Sequence, residues 1–389
     1  MFCLILLKMS DIKWVNKNDY LKGIINKMDS KSKEPIKIAS FDLDDTLIHR
    51  SKRGKGDWTL LFDMVPSTIN DLVNKGYAII IFTNQSGMSK KEYDIESWKN
   101  NLANIIDRIF KNVKTYYCAI YVAKKYDLYR KPNLGLWSVM KTDLNVKISK
   151  KSFFCGDAAG REKDFSDTDR KFALNIKINF YTPEEVFMYD FKEQNEKYIL
   201  KGFNPTKFLE EHKKDKFEYK FVPRKKELII MVGYPGSGKS EFVNKYILPN
   251  GYKHVNQDTC GTNAKCLNMA KSAFDKNESV VIDNTNMGDS DRSKYIILAI
   301  QHGYIHIRCI YLNIDIELSK HLNNVRHVYS NGEIPKVNPI AYNIMKKKFS
   351  EPSKIEKFDK IEKIDMTYFD YSKLDDAKWN KLFMMYSEA

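Results

Sequence analysis

The stretch Gly233-Tyr234-Pro235-Gly236-Ser237-Gly238-Lys239-Ser240 follows the apolar run Leu228-Ile229-Ile230-Met231-Val232 and leads into the segment Ser240–Tyr246. It satisfies G-x-x-x-x-G-K-[ST] between a strand and a helix, the context in which that pattern cradles phosphates. The glycines let successive N–H groups turn inward, and the helix start adds partial positive charge. Lys239 is expected at the β- and γ-phosphates and Ser240 on Mg²⁺, so the loop is expected to bind a nucleoside triphosphate, which in a kinase reading of the chain is ATP.

Outward from this loop, strands and helices alternate. Leu228–Val232, Val280–Ile282 and His306–Leu312 read as strands; Ser240–Tyr246, Ala264–Lys276, Asp291–His302 and Ile316–Asn324 read as helices. Alternation of this kind predicts a mainly parallel sheet with helices on both faces. Phosphorylating a hydroxyl needs a carboxylate to take its proton, and Asp258, in His254-Val255-Asn256-Gln257-Asp258-Thr259, is well placed for that; it also reads as a helix N-cap.

The first half of the chain repeats the pattern. Ile36–Phe41, Tyr77–Phe82, Tyr117–Val122 and Phe153–Cys155 are predicted strands, with helices at Pro66–Lys75, Ile95–Phe110 and Leu134–Lys141. Phe41-Asp42-Leu43-Asp44-Asp45-Thr46 delivers two carboxylates at i and i+2 from a strand end, where open α/β sheets bind ligands. One can attack phosphorus while its neighbour protonates the leaving oxygen. Thr83-Asn84-Gln85 could hydrogen-bond a phosphoryl oxygen, Asp157 after Gly156 offers a third carboxylate for Mg²⁺, and Lys131 could neutralise transferred charge.

Two α/β domains are therefore expected: a lead-in over 1–34, a first domain over 35–190, a charged linker over 191–226 and a second domain over 227–389. At 389 residues each half can bury its own core. Lys+Arg of 65 against Asp+Glu of 50 leaves +15, which favours a polyanionic partner, although a lysine-rich composition supplies much of that surplus. The six cysteines form no C-x-x-C pair or zinc spacing and read as reduced thiols of an intracellular protein. Phe2–Leu7 is too short for a membrane span, so a soluble protein with no membrane partner is expected, with Met9 an alternative start.

Taken together, Phe41-Asp-Leu-Asp-Asp-Thr-Leu, Phe82-Thr-Asn-Gln, Tyr129-Arg-Lys-Pro, Gly156-Asp-Ala-Ala-Gly-Arg161 and Lys163-Asp-Phe-Ser-Asp-Thr-Asp-Arg170 resemble the phosphatase domain of the polynucleotide kinase 3′-phosphatase family, which is haloacid dehalogenase-like. Gly233–Ser240, Val255–Thr259 and Asp283–Asn286 resemble the P-loop NTPase kinase domain of the same family. The resemblance implies Asp42 as nucleophile and Asp44 as general acid/base. It implies Thr83 and Lys131 as phosphate ligands and Asp157 with Asp42 around Mg²⁺, with Asp164 and Asp169 in support; Asn84 is also expected at the phosphate and Asp44 at the metal. In the kinase it implies Asp258 as base for a 5′-hydroxyl, Asp283 as holding the acceptor, and Arg326 as a lid arginine.

The implied partners are DNA ends, with RNA ends or free nucleotides as alternatives. The forkhead-associated domain of many animal members is not expected, and a monomer is. Three positions depart from the family: Asp45, where glycine is common, and Gln257 and Lys265, where arginine is.

Overall fold

The computed structural model describes residues 12–26, 34–50, 58–111, 113, 116–189, 191–192, 197–212, 217–365 and 369–388. Of the basic run Arg50-Ser51-Lys52-Arg53, whose composition suits either a strand-binding groove or a solvated loop, residues 51–53 lie outside the described residues. The chain forms two compact units, residues 1–201 with 386–388 and residues 202–385 with 389.

In the first unit the strands are β1 Lys13–Asn16, β2 Tyr20–Ile25, β3 Lys37–Phe41, β4 Ile48–Arg50, β5 Trp58–Leu60, β6 Tyr77–Asn84, β7 Cys118–Ala123, β8 Phe153–Cys155 and β9 Asn179–Tyr181. Seven of them form one sheet in the order β1-β2-β7-β6-β3-β8-β9, with β4 and β5 a separate hairpin. β6, β3, β8 and β9 are parallel neighbours, and β6 is parallel to β7. Every side chain of β7 is buried, as expected for a strand covered on both faces. Side chains alternate between two cores: Phe41, Ile79, Ile81 and Ile120 face one, and Ile38, Ile80, Phe82 and Tyr121 the other.

One expectation is corrected. Residues 1–34 read as a weakly organised lead-in, yet β1 and β2 pair antiparallel with each other, and β2 pairs antiparallel with β7 along six residues. β2 carries the two-residue alternation of a strand, with Leu21, Gly23 and Ile25 buried.

The second unit is a parallel five-stranded sheet, β11-β12-β10-β13-β14, of β10 Glu227–Val232, β11 Lys253–Val255, β12 Val280–Ile282, β13 His306–Leu312 and β14 Lys360–Ile364. Part of the stretch read as linker is folded into this unit: Pro205–His212 is a helix, and Phe203, Phe208, Phe217, Tyr219 and Phe221 pack with Ile229, Met231 and Phe242. Sequence reading also passed over the helix Pro339–Lys348 and strand β14. Among the described residues no helix is long and apolar enough to cross a membrane.

Candidate active sites

Because β3, β6 and β8 run parallel, the residues that follow them emerge along one edge of the sheet. Asp42 follows β3, and its N–H donates to the Cys155 carbonyl at 2.9 Å. Asp157 follows β8; its N–H donates to Thr46 Oγ1 at 3.1 Å. Asp169 begins the helix Thr168–Ile176 and accepts from Ala158 N at 3.2 Å. A Cβ on Gly156 would lie 2.3 Å from Asp169 Oδ2, so only glycine lets this carboxylate approach.

Oxygens of Asp42, Asp157 and Asp169 lie within 4.8 Å of one another. Lys131, almost wholly buried, donates from Nζ to Asp42 Oδ1 at 2.6 Å and Asp169 Oδ1 at 2.7 Å. Three carboxylates against one ammonium leave an excess of negative charge in a low-dielectric site. Burial pushes Asp42 well above the usual carboxylate range; Lys131 opposes this, while Asp169, Asp157 and Asp44 add to it. Burial and Asp169 push Asp157 up to about 7. Burial alone would lower Lys131, but Asp169 and Asp42 outweigh it and raise the ammonium. An all-oxygen set of this charge suits a hard divalent cation such as Mg²⁺.

The converging set differs from the expected one in its third member. Asp44 lies outside it, and its Oδ2 accepts from Gln85 Nε2 at 2.6 Å. The same amide nitrogen donates to Thr83 Oγ1 at 2.9 Å, so Gln85 links Asp44 and Thr83. Asn84, read as a phosphate ligand, instead binds the main chain of Lys131 at both ends of its amide. Asp164 is not in the cluster; it accepts from Ala159 N at 3.2 Å and Arg161 N at 3.0 Å and so fixes the loop that follows Asp157. Asp45 has φ +52° and pairs through Oδ1 with His49 Nδ1 at 2.7 Å in solvent. The left-handed backbone there accounts for a position that suits glycine, and aspartate tolerates it.

In the second unit the loop Gly233–Ser240 leaves β10 and is held at both ends. Gly233 N donates to the Thr285 carbonyl at 3.1 Å, and Tyr342 Oη donates to the Pro235 carbonyl at 2.8 Å. Gly236 (φ +80°) sits against the helix Ile316–Tyr329, where a Cβ would lie 2.4 Å from the Ser319 carbonyl. Gly238, at φ +88°, caps the helix that starts at Lys239. Lys239 is buried and donates to the carbonyls of Gly233 at 2.9 Å and Tyr234 at 2.7 Å. Burial lowers its ammonium to about 8, with Asp283 and Asp258 raising it and Arg326 lowering it further. Those three side chains thus share the electrostatic environment of Lys239.

Asp283 follows β12 almost fully buried, with Oδ2 3.1 Å from His254 Nε2 and 3.0 Å from Asn256 Nδ2. Burial raises its carboxyl, but His254, Ser240, Lys239 and Asn256 together hold it below the usual range. It therefore shares its surroundings with the lysine and serine of the loop. Asn256 caps the helix Gln257–Cys260, which removes the capping reading of Asp258; the Asp258 carboxylate is exposed in the first turn. Arg326 stands on the exposed side of the helix Ile316–Tyr329, and its Nη2 donates to Asn323 Oδ1 at 3.3 Å.

A cavity of about 260 Å³ is walled by Gln257, the residue before Asp258, and by Asn263, Asn284, Thr285, Lys294 and Tyr295. A recess of about 50 Å³ adjoins Ser237 and Gly238 and is closed by Leu322, Phe369, Lys373 and Trp379. Sequence reading missed both, because their walls come from segments far apart in the chain. Gln257 lines the first cavity; Lys265, the other family departure, is exposed on the helix Asn263–Asp275.

Residues 37–187 match the family described as polynucleotide kinase 3 phosphatase. A protein of Acanthamoeba polyphaga mimivirus, described as a candidate bifunctional polynucleotide phosphatase/kinase, is 50% identical over 96% of this chain and 95% of its own length. The bifunctional polynucleotide phosphatase/kinase of Schizosaccharomyces pombe is 34% identical over 86% of this chain and 81% of its own. A polynucleotide 3′-phosphatase of Arabidopsis thaliana is 37% identical over 39% of this chain and 24% of its own.

Proposed function

We propose, from the premise that this chain belongs to the family of bifunctional polynucleotide phosphatase/kinases, that it heals DNA ends, removing 3′-phosphates in the first compact unit and phosphorylating 5′-hydroxyls with ATP in the second. The observation that carries this reading is the buried convergence of Asp42, Asp157, Asp169 and Lys131 at the sheet edge.

In the phosphatase, a carboxylate oxygen of Asp42 attacks the 3′-phosphate and forms an aspartyl-phosphate, while Asp44 delivers a proton to the departing 3′-oxygen. Gln85 donates to Oδ2 of Asp44 and so orients its carboxyl group. Asp44 then takes a proton from the water that releases phosphate. Lys131 balances the charge of the transferring group, and Thr83, fixed by Gln85, supports a phosphoryl oxygen. Asp42, Asp157 and Asp169 would hold Mg²⁺, which would supply further charge neutralisation.

In the kinase, the N–H groups of Gly233–Ser240 wrap the ATP phosphates, and Lys239 leaves its own carbonyl partners to pair with them. Ser240 and Asp283 form the Mg²⁺ side of the loop. Asp258 takes the proton of the 5′-hydroxyl, and Arg326 stabilises charge on the transferring phosphoryl group. The cavity walled by Gln257, next in sequence to Asp258, suits the acceptor nucleotide.

The test is a gapped DNA duplex with a 3′-phosphate and a 5′-hydroxyl, incubated with Mg²⁺ and ATP. Both ends should become ligatable; Asp42→Asn should abolish only the 3′ change and Lys239→Ala only the 5′ change. If neither end changes with the wild-type chain, the reading is wrong.

A further inference from the structure

The segment between Asp157 and Asp169 carries a side chain that the chemistry above leaves unused. Phe165 is 100% exposed. A single apolar side chain on a surface is ordinary; two features set this one apart.

The first is rigidity. Gly160 N donates to the Ser166 carbonyl at 3.1 Å and Asp164 N to the Arg161 carbonyl at 3.0 Å. The Asp164 carboxylate closes on Ala159 N and Arg161 N, and the Arg161 guanidinium pairs with both Asp164 and Glu184. A loop this well bonded holds the phenyl ring in water instead of folding it against the protein.

The second is position. The loop's two feet, Asp157 and Asp169, belong to the carboxylate cluster. Phe165 follows Asp164, whose carboxylate bonds to the chain two residues beyond Asp157.

The surroundings match a single strand. Lys163 is exposed on the same loop, and Tyr198, half-exposed, is bridged to Arg161 with the Arg170 guanidinium 3.8 Å from its ring centre. Arg170 in turn donates from Nε to the Ala159 carbonyl at 2.7 Å. Cations and aromatic faces together are what a flexible nucleic-acid strand needs: charge for its backbone and a flat apolar surface for its bases.

We propose that Phe165 stacks on a nucleobase near the 3′-end of the substrate strand and so makes this phosphatase selective for polynucleotides over small phosphate esters. The proposal rests on the 3′-phosphatase reading of the same site. Stacking on an aromatic face tolerates any base, so it adds strand affinity without sequence preference.

The experiment compares kcat/KM for a 3′-phosphorylated single strand with that for a base-free sugar phosphate, in the wild type and in Phe165→Ala, Phe165→Trp and Phe165→Leu. Phe165→Ala should lower the ratio of the two about tenfold, chiefly through KM for the strand. Phe165→Trp should restore it and Phe165→Leu should not. Strands with one base removed at the last, second-last or third-last nucleotide should locate the partner, because the alanine penalty disappears for one of them.

An unchanged ratio in Phe165→Ala overturns the proposal and leaves the ring as a protein-docking residue; so does full rescue by leucine. A wild-type chain that removes no 3′-phosphate from any strand overturns the phosphatase reading itself. Thermal melting of each variant confirms that the fold is retained.

Discussion

Both ends of the Asn84 side-chain amide close on the main chain of Lys131: Lys131 N donates to Oδ1 at 3.0 Å, and Nδ2 donates to the Lys131 carbonyl at 3.2 Å. The end of β6 thereby fixes the segment that carries the site's one buried ammonium. Asn84→Ala removes two partly buried hydrogen bonds, each worth about 1 kcal/mol. We expect kcat for 3′-phosphate removal to fall about tenfold or more with kinase activity retained. Parallel assays of the two activities on one preparation check this, and equal losses in both would point to general unfolding.

Asp169 shares Lys131 with Asp42 and completes the three-carboxylate group. Asp169→Asn keeps the shape and removes one negative charge. The Mg²⁺ concentration for half-maximal phosphatase activity should rise about 10- to 100-fold, the range found when groups around a metal are altered. Activity against Mg²⁺ concentration reads this directly, and an unmoved midpoint would exclude Asp169 from the metal's surroundings.

Gly236 and Gly251 share φ +80° but not their surroundings. A methyl on Gly236 meets the Ser319 carbonyl at 2.4 Å, whereas nothing lies within 4 Å of one on Gly251. Gly251→Ala should cost only the left-handed backbone penalty, about 1–2 kcal/mol. Gly236→Ala should cost more and also raise KM for ATP, since the phosphate loop must shift. Denaturant unfolding and kinase kinetics on both variants make the comparison, with Gly251→Ala as the control for backbone strain.

Lys239, lowered to about 8 by burial, gives a pH dependence of definite sign. Its ammonium is less favoured in the folded protein than in the unfolded chain, so it opposes folding fully below pH 8. That opposition fades as pH rises from about 8 toward the ordinary lysine value of about 10.4. Stability from this group therefore increases with pH across that window. Lys239→Met should flatten this part of the melting-temperature profile, and a profile parallel to the wild type would refute the assignment. Bound phosphates favour the ammonium, so ATP binding above pH 8 should take up protons, measurable by calorimetry in two buffers of different ionisation enthalpy.

The parts legible in sequence were those set by a few neighbouring residues. The run Leu228–Val232 before Gly233–Ser240 and the acids after Phe41 identify strand ends by local pattern alone, and the described strands β10 and β3 end there. The less legible parts depend on what a residue meets across space. Asp169 lies far from Asp42 in sequence; the family resemblance implied only a supporting role, and the two bonds of Lys131 show that it shares one ammonium with Asp42. Asp283 looks like a free strand-end acid until His254, Asn256 and Ser240 are seen around it. Asn84 and Gln85 are chemically able to hold phosphate, and nothing local indicates that their amides hold Lys131 and Asp44 instead. β2 alternates in sequence, but Lys22 and Gly23 mask the pattern.

Strand β7 is buried at every residue and hydrogen-bonded to β6 on one side and β2 on the other. A fragment cut at residue 35 would keep Asp42, Lys131, Asp157 and Asp169, and with them the whole carboxylate cluster. It would also bare one edge of β7, presenting unpaired backbone groups beside apolar side chains, which is the template on which other chains assemble. The residues ahead of the first acid thus act as a guard against self-association. A phosphatase fragment that begins before β1 keeps that guard, and one that begins at the first acid's own strand does not.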